Sequence, residues 1–273
     1  MGTGSLRYRF TSSSLHDANS NRTENKYFIY PFRCYYQLKP KPRYRFSCTV
    51  AATDPVNPLG VRSYATYEVF AIAADLSRRA DIVRLVQQTV EHFGGLDILV
   101  TNSGGPKAGL FSALTSSDWR DAVDLLLLSV VDLCYEAVPH MRRRGGGRIV
   151  NITSISSKQP VAGLVLSNVL RPAVVGLSKT LSNELARDGI LVNSVAPGYT
   201  RTDRVIELAD AAARREGVPV DTVERRTVQN IPLGRMAEPS EIADMVVFLA
   251  SDRGTYITGT NILVDGGYVR GTL

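Results

Sequence analysis

Glycine is nearly missing from the first third of the chain. Between Gly4 and Gly94 the only one is Gly60, which excludes from that stretch a glycine-rich turn able to close its backbone on a phosphate at a helix N-terminus. Cysteine is scarce and odd in number. Cys34, Cys48 and Cys134 have no metal-ligand spacing and argue against a disulfide framework. No apolar run reaches the ~18 residues that a membrane span needs, and no short apolar core with a cleavage site marks a secretory signal. A cytoplasmic protein without a membrane span is therefore expected. Acidic residues are also rare at the start: residues 1–50 hold nine Lys and Arg against two acids, whereas the remainder holds 23 basic against 24 acidic residues. The formal net charge of +6 thus belongs to the N-terminal segment. A nucleic-acid partner is not expected of the body, because such a face needs basic residues clustered on the folded domain.

What is present is enough for one large core: 273 residues, 44% hydrophobic and 21% charged. Six of the twelve tyrosines lie in residues 1–50, in stretches such as "KYFIYPFRCYYQLKPKPRYRF", which share no periodicity with the rest of the chain. Residues 1–66 read as a separate, atypical segment: an added basic arm, an Arg- and Ser-rich transit peptide, or a mis-assigned or rearranged start. A basic arm could also meet nucleic acid or an anionic surface.

From about residue 67 the pattern becomes regular. "YEVFAIAAD" is a short, mostly apolar strand. It is followed by a helix that places Ile82, Leu85, Val86, Val90 and Phe93 at helical spacing and stops at Gly94 and Gly95. Strand "LDILVTNSGGP" leads to a long helix from about 117 to 144, closed by "RRRGGG", whose arginines suit the negative helix end. Strand "RIVNITS", a helix around 168–187, strand "ILVNSVAPG", two helical pieces across 203–230, helix "PSEIADMVVFLASD" and strand "NILVDGG" complete the chain. Short strands alternating with helices need crossover connections, so the expected fold is α/β, a doubly wound, mostly parallel sheet with helices on both faces. Ligands in such sheets lie at the carboxyl ends of the strands.

Residues 67–273 resemble the short-chain dehydrogenase/reductase family and are similar to its 3-oxoacyl-carrier-protein-reductase-like members. The resemblance rests on motifs in order: "AADLS", "TNSGG", "RIVNITS", "VNSVAPGYTRTD" and "IPLGRMAEPSEIADMVVFLASDRGTYITGTNILVDGG". It implies a Rossmann-like oxidoreductase that uses NAD or NADP on a small carbonyl or alcohol substrate. It implies cofactor contacts for Asp75 and Leu76, for Asn102, Ser103 and Gly104, and for Pro197, Gly198, Thr200 and Thr202. It puts Ser154 at the position of the family's catalytic serine. Each also has a plain structural account: Gly104, Gly105 and Gly198 as turn glycines, Asp75 as a helix cap, Ser154 as a partner for strand-end backbone.

The departures matter equally. The family's tyrosine and lysine positions hold Ser167 and Arg171, its asparagine position holds Leu126, and no tyrosine occurs between residues 136 and 198. An alkanol is a weaker acid than a phenol and arginine does not release its proton at neutral pH, so proton transfer by tyrosine is not available. Ser154 and Ser167 can still hydrogen-bond a carbonyl oxygen, and Arg171 can hold a carboxylate, a phosphate or a ribose edge. The alternative is a catalytically impaired scaffold acting as a binding or assembly partner. Pro172 predicts a helix starting near 167–171, which makes Ser167 a candidate cap. Either the first 66 residues supply a central strand, for which "RFSCTVAA" is favoured over "KYFIY" by apolar content, or the sheet rearranges. Apolar residues all round the long helix ("AVDLLLLSVVDLC") and the 168–187 helix point to a homodimer or homotetramer.

Overall fold

The computed structural model of the chain describes residues 26–30, 47–52 and 67–272. Residues 1–25, with the "GTG" at 2–4, and the stretches 31–46 and 53–66 lie outside the described residues. Seven strands form one sheet: β1 (Lys26–Tyr30), β2 (Ser47–Ala52), β3 (Tyr67–Ile72), β4 (Ile98–Thr101), β5 (Gly147–Ile152), β6 (Ile190–Pro197) and β7 (Asn261–Val264). Their spatial order is β3-β2-β1-β4-β5-β6-β7. Strands β1, β4, β5, β6 and β7 are mutually parallel, while β2 runs antiparallel to both β1 and β3. Only β2 is reversed, so the sheet is mostly parallel, as expected.

The expected ranking of the replacement strands is corrected. "KYFIY" forms β1 and holds the central place against β4, and Ser47–Ala52 of the favoured "RFSCTVAA" lies one position outward. Chain connectivity explains the order. Antiparallel neighbours need no crossover helix, so the segment nearest in sequence to β3 pairs with β3 and the earlier one is left for the centre.

The helices are α1 (Arg79–Phe93), α2 (Ser116–Val123), α3 (Ser129–Arg144), α4 (Val165–Leu185), α5 (Asp203–Glu216), α6 (Val220–Gln229) and α7 (Pro239–Ala250). Strand periodicity sends alternate residues to opposite layers. Leu99, Ile149 and Val192 pack with Leu85 of α1, Leu133 and Ala137 of α3 and Val174 of α4. Val100, Val150 and Val195 pack on the other face with Ile242, Val246 and Leu249 of α7. The expected long helix is α2 and α3 joined by a single π-helical stretch, Asp124–Leu128; such bulges are common at functional sites.

Helix α4 begins at Val165, earlier than Pro172 implies. Pro172 is its eighth residue and is exposed, so the hydrogen bond it denies to the Asn168 carbonyl is lost on the solvent side. An early start is held by Asn168, whose side chain accepts from Val161 N and donates to Val161 O, both at 2.9 Å. Ser167 is therefore inside the first turn and is not the cap, a position taken by Leu164.

Candidate functional site

The parallel strands bring the loops after β3, β4, β5 and β6 to one end of the sheet. A buried polar chain locks three of those strands to α4. Thr101 Oγ1 donates to Asn151 Oδ1 (2.7 Å), Asn151 Nδ2 donates to Ser178 Oγ (2.8 Å), and Ser194 Oγ donates to the same oxygen (2.9 Å), while Ser178 Oγ donates to Val174 O (2.8 Å). Every group in this chain has a partner, the condition under which a buried polar network rigidifies a fold.

At the end of β5 the strand turns into a short 3-10 helix, Ile155–Ser157, capped by Ser154. Ser154 Oγ accepts from Ser156 N at 3.2 Å, and its hydroxyl proton has no acceptor among the described residues. Ser156 Oγ lies 2.9 Å from Ser167 Oγ, so Ser167 meets Ser156 and not Ser154. One helical turn later Arg171 packs on the same face of α4, and its guanidinium donates to Ile152 O at 3.0 Å. Arg171 is 7% exposed, and burial pushes its pKa down to about 10. It remains a cation at neutral pH.

Leu126, at the expected asparagine position, sits in the π stretch with no exposed surface, against Ala122, Leu166 and Leu170. It offers no hydrogen bond. Ser129, one turn further along the long helix, lines a crevice with Arg171, but its hydroxyl donates to Leu125 O at 2.6 Å.

Leu76, Asn102, Ser103 and Arg171 line a single crevice together with Thr101 and Ile152. Asn102 is exposed, whereas Ser103 Oγ is buried without a partner. Asp75 is partly committed elsewhere: its Oδ1 accepts from Ser77 Oγ (2.7 Å) and Ser77 N (3.1 Å), closing the turn before α1. The cap position of α1 itself is Arg78.

Pro197, Gly198, Thr200 and Thr202 lie apart from that crevice at the end of β6. Gly198 has a structural requirement of its own, since a Cβ there would come within 2.7 Å of Asp265 Cα. Thr200 Oγ1 donates to Gly198 O (3.2 Å) and Thr202 Oγ1 to Thr200 O (3.3 Å), which folds the loop into α5. Arg204 of α5 then reaches back to Pro106 O at 2.5 Å, tying this loop to the one after β4.

Two participants escape a reading of the sequence: Ser156 and the Ile152 carbonyl. The run "SISS" was a signal for the first. The second had none, because a carbonyl carries no residue identity. No cluster of metal-ligating side chains occurs among the described residues, and no helix among them is long and apolar enough to cross a membrane.

A family model described as Enoyl-(Acyl carrier protein) reductase matches residues 48–269. The chain is 35% identical over 217 residues to a 3-oxoacyl-[acyl-carrier-protein] reductase of Staphylococcus epidermidis, covering 80% of this chain and 82% of that one. It is 35% identical over 193 residues to an acetoacetyl-CoA reductase of Rhizobium meliloti, covering 71% and 76%. Among solved structures it is similar to L-sorbose reductase from Gluconobacter frateurii complexed with NADPH and L-sorbose, with a TM-score of 0.69 at 32% identity over 73% and 76% of the two chains. Similarity to an actinorhodin polyketide ketoreductase with NADPH has a TM-score of 0.70 at 33% identity over 72% and 77%. With this sheet, this motif order and these relatives, the chain belongs to the short-chain dehydrogenase/reductase family.

Proposed function

We propose that the protein is an NAD(P)-linked oxidoreductase acting on a carbonyl or alcohol substrate. The observation that carries this reading is the grouping of Ser154, Ser167 and Arg171 at the carboxyl end of β5, tied together through Ser156 and Ile152. The unpartnered, buried Ser103 hydroxyl at the end of β4 fits a polar ligand there, and the exposed Asn102 amide beside it adds donors and an acceptor. Leu76, Asn102, Ser103 and Gly104 would hold the dinucleotide with Asp75 on one side, and Pro197, Gly198, Thr200 and Thr202 on the other. When bound, the cofactor supplies or takes up the hydride. Ser154, with a free hydroxyl proton, polarises the carbonyl oxygen. Ser167, held by Ser156, adds a second hydroxyl, and Arg171 places the substrate as a fixed cation. Serine does not replace a tyrosine as the acid, because an alkanol is several units weaker than a phenol, and Arg171 serves as a cation; the proton is left to water.

A second reading, a scaffold that binds or assembles without turnover, draws support from the absence of glycine after β1, between Gly4 and Gly60, and from the local use of the Asp75 carboxylate. Calorimetric titration with NAD(H) and NADP(H) separates the two. Micromolar binding, then an absorbance change at the nicotinamide band with ketones, diols or 3-oxoacyl thioesters, supports the enzyme; no binding of either cofactor supports the scaffold. The same reading extends to a homodimer or homotetramer formed through α3 and α4, where Tyr135 and Val169 are 69% and 49% exposed.

A further inference from the structure

Arg171 is a buried cation with no anion among the described residues. It makes no ion pair among the described residues, where every ion pair involves other side chains. The crevice that it lines contains Leu76, Asn102, Ser103 and Ile152 and no Asp or Glu. One guanidinium nitrogen is used by Ile152 O, while Nε is buried and unpartnered. For folding alone this arrangement is costly: an uncompensated buried charge destabilises, and an apolar side chain of the same length would pack as well.

The surroundings narrow the choice of anion. A guanidinium edge presents parallel donors in a plane, which matches the two oxygens of a carboxylate. Ser167 lies one turn earlier on the same helix face, and Ser154 lies two residues beyond Ile152, about 7 Å along an extended chain. Hydroxyls for a carbonyl oxygen and a cation for an anion therefore stand within one small molecule's length of each other.

We propose that Arg171 binds a carboxylate, so that the substrate is a short oxo acid, or the matching hydroxy acid, in preference to a neutral ketone or an acyl thioester. Turnover of that acid rests on the oxidoreductase reading; carboxylate binding does not.

The test is calorimetric titration of the full chain, without cofactor, with acetoacetate, its methyl ester and inorganic phosphate, alongside Arg171→Met and Arg171→Lys. Acetoacetate is expected to bind saturably, with the ester weaker by about 10- to 100-fold, the loss of a charge-assisted bond. Arg171→Met should abolish acetoacetate binding while leaving the melting temperature of the ligand-free protein unchanged or higher; Arg171→Lys should keep weakened binding. Equal binding of acid and ester overturns the proposal. So does phosphate binding in the absence of acetoacetate binding, which would assign the cation to a phosphate group of a nucleotide. A large drop in melting temperature for Arg171→Met, or failure of that variant to fold, also overturns it, because the cation would then be paired within the chain. If acetoacetate binds yet no cofactor binds and no turnover is seen, the carboxylate site stands and the oxidoreductase reading fails.

Discussion

Ser156 Oγ and Ser167 Oγ lie 2.9 Å apart, both buried, one in the 3-10 helix that follows β5 and the other in the first turn of α4. In the proposed reaction Ser156 is a positioning residue, because it meets Ser167 and not the substrate.

Removing the Ser156 hydroxyl should lower kcat by about fivefold, with cofactor affinity and KM little changed, since one oriented hydrogen bond of about 1 kcal/mol is lost. The Ser156 N–H still bonds Ser154 Oγ in Ser156→Ala, so the effect reports on Ser167 alone. Ser156→Thr, which keeps the hydroxyl, should restore most of the rate in steady-state assays.

The buried polar chain predicts a stability effect without reference to catalysis. Asn151→Ala strands the hydroxyl of Thr101 and takes a donor from Ser178. A loss of about 2–4 kcal/mol in urea unfolding is expected, whereas Ser178→Ala should cost about 1–3 kcal/mol.

Two glycines should respond differently to alanine. At Gly198 the added methyl meets the backbone of Asp265 at 2.7 Å, a clash that neighbours cannot relieve by rotating a side chain; about 2–3 kcal/mol of destabilisation is expected, with displacement of the C-terminal turn. At Gly145 there is open space but φ is +80°, so alanine should cost only about 1–2 kcal/mol of backbone strain. Thermal unfolding of the two variants should rank them in that order.

Acid sensitivity should be visible at the start of α7. Hydrogen bonds from Arg235 at 2.7 Å, and then from Glu238 N at 2.8 Å, hold the Glu241 carboxyl down at about 2, below its ordinary 4.5. A folded value below the unfolded one means that stability is present above about pH 4.5 and is lost as pH falls toward 2. Melting temperature between pH 5 and 2 should fall less steeply in Glu241→Gln than in the native chain.

Much of the architecture was legible in the sequence because its signals are local. The apolar runs that became β4, β5 and β6, the spacing of Ile82, Leu85 and Val86, and the stops at Gly94 and Gly145 each depend on a few neighbouring residues. The motif order marked which loops meet, because parallel strands put their carboxyl ends together. Pro172 misled, since a side-chain clamp between Asn168 and Val161 outweighed the usual preference for proline in the first turn. The order of β1 and β2 misled for a related reason: apolar content ranks strands, but pairing direction decides their places.

Residue identities by themselves determined that no tyrosine lies between residues 136 and 198 and that the resemblance sets Ser167 and Arg171 at the expected tyrosine and lysine positions. Only the tertiary structure decided what those residues touch. It set Ser156 between Ser154 and Ser167, used a carbonyl of β5 to hold the guanidinium, and buried Arg171 away from any described carboxylate. Side-chain chemistry is inherited from the chain, but whether a charge is satisfied depends on what the fold brings within about 4 Å of it.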